Sequence, residues 1–65
     1  MNLSLKLKII EKYGSQFGFA RAAGVNEATV SRVLRGHREI PRDEQNRWAD
    51  LLDCKREDIF LEGVN

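Results

Sequence analysis

Three glycines, Gly14, Gly24 and Gly36, cut the first half of the chain into short segments. A helix ends most easily on glycine, because the left-handed backbone that closes the last turn costs glycine least. Good N-caps stand just behind two of these stops: Ser15 after Gly14, and Asn26 after Gly24 and Val25. The pattern predicts two short helices, QFGFARAA (16–23) and EATVSRVLR (27–35), with three residues between them. Such segments are too short to be stable alone, so each must bury an apolar face against its neighbours.

The faces can be read from the spacing. In the first segment Phe19, Ala20 and Ala23 form a buried stripe, and Val25 plugs the turn. Gly18 costs this helix about 1 kcal/mol relative to alanine, which close packing or tertiary support must offset. In the second segment Val30, Val33 and Leu34 share one face, and Ala28, Ser31, Arg32 and Arg35 lie opposite.

The flanks are helical too. Leu3, Leu5, Leu7 and Ile9 alternate as a strand would, but the Ile9-Ile10 doublet, the helix-forming Leu, Lys and Glu, and Ser4 as an N-cap favour a helix over 5–13. Beyond Gly36, His37, Arg38 and Glu39 form a polar loop, and Ile40-Pro41 announces a helix over 41–53 with Pro41 at its first position. That helix is expected to bury Trp48, Leu51 and Leu52, with Cys54 ending it as a further core residue. A last turn, 56–60, offers Ile59 and Phe60, and with Leu61 and Val64 these either complete the core or meet a second subunit. The expected fold is all-α, five helices in one domain over 1–65.

Composition excludes several functions. A chain of 65 residues buries only about 60% of its unfolded surface, which leaves no deep cleft between domains. Cys54 and His37 are the only residues of their types, so no disulfide, metal site or Cys/His catalytic pair is expected, and no Ser/His/Asp set argues for an enzyme or a cofactor. Neither a signal peptide nor a membrane span is legible, which suits the cytoplasm. The net charge of +1 conceals a division. Residues 1–42 hold eight Lys/Arg against three acidic residues, +5, and residues 43–65 hold three against seven, −4.

The stretch QFGFARAAGVNEATVSRVLRG resembles the helix-turn-helix of the lambda repressor and Cro superfamily, also called the XRE family. The resemblance rests on Gln16, Ala20, Gly24, Val25 and the run Val30-Ser31-Arg32-Val33-Leu34-Arg35-Gly36, extended by REIP and WADLL. It departs from the family at Phe17 and Gly18, and at Glu27, where a neutral or basic residue is usual. The resemblance implies a five-helix lambda-repressor-like domain that binds a double-stranded DNA operator as a homodimer, with helix 27–35 in the major groove. By position, Asn26, Glu27, Ala28, Ser31 and Arg32 would meet bases, and Gln16, Arg35, His37 and Arg38 would meet phosphates.

Chemistry supports that assignment apart from the name. A guanidinium on an outer helix face can bind guanine O6 and N7 together, worth about 1–3 kcal/mol of discrimination, and Arg32 is the first choice. Arg21, Arg35, Arg38, Arg42 and the lysines of the first helix would add the salt-sensitive term. Two residues keep alternatives: Ser31 either bonds its own helix or touches DNA, and Glu27 either favours the helix dipole, by about 0.3–1 kcal/mol, or accepts from cytosine N4. The functional expectation is a small phage or prophage repressor. Its competitors are an antitoxin-type module that binds DNA and a partner protein, or a protein-interaction module that keeps the scaffold without DNA contact; the acidic C-terminal half leaves room for a protein partner.

Overall fold

The computed structural model describes residues 1–60. Five helices follow in order, α1 Leu3–Tyr13, α2 Gln16–Ala23, α3 Glu27–Arg35, α4 Arg42–Leu51 and α5 Arg56–Ile59, and the described residues contain no strand. The middle pair has the expected bounds. Leu61 and Val64 lie outside the described residues.

At the N-terminus the cap is Asn2 rather than Ser4, and α1 starts two residues earlier than expected. Asn2 is fixed from three sides. Its Oδ1 accepts from the Leu5 N–H at 3.0 Å, its Nδ2 donates to the Ile59 carbonyl, and its own N–H donates to the Leu34 carbonyl at 2.7 Å. Asparagine caps as well as serine does, and these long-range bonds decide between them.

The fourth helix is shorter at both ends than expected. Pro41 stands one step outside it, with extended backbone (ψ 160°), and its carbonyl accepts the first helical bond from the Gln45 N–H at 2.9 Å. At the other end Asp53 takes a left-handed backbone (φ 61°), and the Cys54 N–H turns back to the Ala49 carbonyl at 3.0 Å. Aspartate tolerates this conformation better than most non-glycine residues. Ala49 takes a buried place, while Leu51 and Cys54 are half-buried and packed against the core. The last helix also stops one residue early, leaving Phe60 half-buried against the core.

The core is built from one stripe of each helix: Leu5 and Ile9, Phe19 with Ala20 and Ala23, Val30 with Val33 and Leu34, Trp48 with Ala49, and Ile59, joined by Ile40 and Leu52. Edge-to-face rings run through it from Tyr13 to Phe19 (5.5 Å) and on to Trp48 (5.0 Å), a favoured aromatic geometry. Each polar tip has a partner, the Tyr13 hydroxyl donating to the Leu51 carbonyl at 2.9 Å and the Trp48 Nε1 to Glu44 at 3.1 Å. Gly18 is explained by contact. A Cβ there would sit 2.9 Å from the Tyr13 carbonyl oxygen, so the end of α1 packs directly on the first turn of α2.

Candidate nucleic-acid interface

The turn between α2 and α3 is tightly tied. Gly24 is left-handed (φ 72°), the Val25 N–H donates to the Ala20 carbonyl at 3.0 Å, and Val25 is packed against the core. From α4, the Arg47 guanidinium donates to the Ala23 carbonyl at 2.6 Å, and it is held by Glu44 through two bonds of 3.1 and 2.6 Å. The pairing lowers the Glu44 pKa, chiefly through the Arg47 hydrogen bond, and raises that of Arg47. Arg47 thus satisfies a carbonyl at the end of α2 and braces the turn that launches α3. Sequence reasoning passed over it, because its partner Ala23 lies 24 residues away. The local Glu44/Arg47 spacing was the available signal.

On α3 the inner face is Val30, Val33 and Leu34, all buried. Outside, Ala28, Arg32 and Arg35 are exposed, and at 3.6 residues per turn they share an arc of about 60°. Ser31 is half-buried at the rim of that arc, and Glu27, though exposed, lies about 40° farther round, toward the packed side. The far end of α3 is secured by the Asn2 bond to Leu34 and by the His37 N–H donating to the Arg32 carbonyl at 2.9 Å.

Asn26 corrects one expectation. It occupies the N-cap position, and its carbonyl accepts from Thr29 and Val30, but its side chain makes no capping bond and is exposed. Its extended backbone (φ −69°, ψ 145°) already sets the helix start, which leaves the exposed amide group without a capping role.

The residues expected at phosphates fall at two places. Gln16 is half-buried at the first position of α2, directly after Ser15, whose Oγ accepts from the Gly18 N–H at 3.0 Å. Arg35, His37 and Arg38 are exposed at the C-terminal end of α3 and in the loop beyond. Phe17 is 56% exposed on α2, with the Arg21 guanidinium 5.9 Å from its ring centre. Among the described residues Arg32, Arg35 and Arg38 enter no ion pair.

The lysines of α1 behave otherwise. Lys12 pairs with Asp53 at 3.1 Å, and Lys8 lines a shallow depression with Asp50, Asp53, Cys54, Lys55 and Asp58. Two of the cations counted in the basic half therefore lie against the acidic half, and the expected contribution of helix-one lysines to the basic face contracts accordingly. Cys54, which also lines this depression, has its thiol pKa raised, mainly by burial.

Residues 2–62 match a family model described as "Protein of unknown function (DUF739)". The chain belongs to the DUF739 family. The match takes in all five helices and both anchoring residues, Asn2 and Arg47. No curated protein and no solved structure matches this DUF739 chain. No helix among the described residues is long and apolar enough to cross a membrane.

Proposed function

We propose that this DUF739 chain is a sequence-specific double-stranded DNA-binding regulator, a repressor on a lambda-repressor-like scaffold, with α3 as the helix that enters the major groove. One observation carries the reading. Arg32 and Arg35 stand exposed beside the small Ala28 on the outer face of a braced helix, and among the described residues neither enters an ion pair, while Lys12 and Arg47 do. Exposed guanidinium groups on the outer face of a helix tied at both ends suit a polyanion, and a helix of this width fits the major groove.

In this reading Arg32 reads a guanine, with Asn26, Ala28 and Ser31 beside it. Gln16, Arg35, His37 and Arg38 grip the phosphates on either side, with Arg21 as a further charge. The position of Glu27 beyond the rim, toward the packed side, favours its dipole role over reading cytosine.

Selection of bound sequences from a random duplex pool tests the proposal. A consensus should emerge, and its affinity should fall steeply as salt rises, because phosphate contacts release counterions. If no duplex is retained at low salt, the DNA reading fails and a protein-interaction module takes its place.

A further inference from the structure

The α1 helix has two apolar faces, and among the described residues only one is packed into the core. Leu5 and Ile9 are fully buried in the core. Leu3, Leu7 and Ile10 lie roughly 150° around the helix from them and are 62, 66 and 43% exposed. Their spacing, four then three, is that of a coiled-coil seam. Isolated exposed leucines are ordinary, but three in register on one helix make a patch with a direction.

Charge along the patch indicates what covers it. Lys6 directly precedes Leu7 on one flank, and Glu11 directly follows Ile10 on the other. Neither enters an ion pair among the described residues. When two such seams lie parallel, the residue before a core position faces the partner residue five places on, which from Lys6 is Glu11. An antiparallel pair would instead bring like flanks together, Lys6 against Lys6. The patch is thus complementary to a second copy of itself in one orientation.

We propose that two copies of this chain associate through Leu3, Leu7 and Ile10 of α1, parallel and side by side, with Lys6 of each facing Glu11 of the other. The helix is already held by its buried face, so association carries no cost of helix nucleation. The seam is only about 10 Å long, which places it among small interfaces and makes pairing concentration-dependent. This inference does not depend on DNA binding, and its test contains no nucleic acid, so the two stand or fall separately.

Sedimentation equilibrium of the full chain between about 10 µM and 1 mM reads the association directly. A reversible dimer is expected, with Leu7→Asp monomeric throughout and melting as the parent monomer does. Lys6→Glu and Glu11→Lys should each weaken the dimer about fivefold, and the double exchange should restore it, since exposed ion pairs contribute only modestly. With Cys54→Ser as background, Leu3→Cys should form an interchain disulfide, because equivalent seam positions meet only in the parallel arrangement. A parent chain monomeric at every concentration overturns the proposal. A dimer indifferent to Leu7→Asp overturns it as well. Failure of the double exchange to restore the dimer overturns the parallel arrangement.

Discussion

Arg47 on α4 and Arg32 on α3 are the same side chain put to opposite use. Arg47 spends its donors inward, on the Ala23 carbonyl and the Glu44 carboxylate. Arg32 is exposed and enters no ion pair among the described residues. One is part of the frame, and the other is what the frame presents. Both types are needed, because a recognition side chain discriminates only if the helix beneath it is fixed.

The largest expected effect falls beneath the presented face. Val30→Asp would bury a charge without a partner at a position of zero exposure, and thermal denaturation should show no cooperative transition at room temperature and above. A cooperative melt near that of the parent would contradict the orientation of α3 and dissolve the contrast between its faces.

Next comes the frame arginine. Arg47→Ala removes the donor of the Ala23 carbonyl and leaves Glu44 with the Trp48 indole bond, and a partly exposed charged bond of this kind is worth about 1–2 kcal/mol. In a chain of this size that lowers the melting midpoint by about 4–16 °C, and any DNA affinity should fall without a change in the preferred sequence. Arg32→Ala should do the reverse. Stability should stay within about 0.5 kcal/mol of the parent, while preference for the selected duplex over random DNA falls by about 1–3 kcal/mol. If both variants behaved alike, the division between frame and presented residues would be wrong.

The smallest effect is an acid one. Folding lowers the Glu44 pKa, chiefly through the Arg47 bond, so the pair's contribution is complete above the unfolded carboxylate pKa of about 4.3 and is lost as pH falls through the lower folded value. Denaturant titrations at stepped pH should therefore find a smaller acid loss of stability in Arg47→Ala than in the parent.

Local signals in the sequence reached far in the middle of the chain and faltered at its edges. The α2 and α3 bounds, the buried stripe Val30, Val33 and Leu34, and the exposed arginines opposite were all legible, because glycine stops and helical periodicity act over a few residues. Asp53 was not legible as a stop, since it performs with a carboxylate side chain what glycine does elsewhere. Asn2 and Arg47 were missed for a different reason. Their partners Ile59 and Ala23 lie 57 and 24 residues away, beyond any local pattern. The same holds for charge: counting residues made Lys8 and Lys12 part of a basic half, whereas folding sets them against Asp53.

The clasp between Asn2 and the Ile59 carbonyl has a consequence for synthesis. The residue that caps the first helix cannot meet its last partner until 57 further residues have been added, roughly 3–11 s at ordinary translation rates. Through that interval Leu5 and Ile9 lack part of their cover. A nascent chain should therefore resist proteolysis only after Ile59 has left the ribosome, so closure of the domain waits on its last helix.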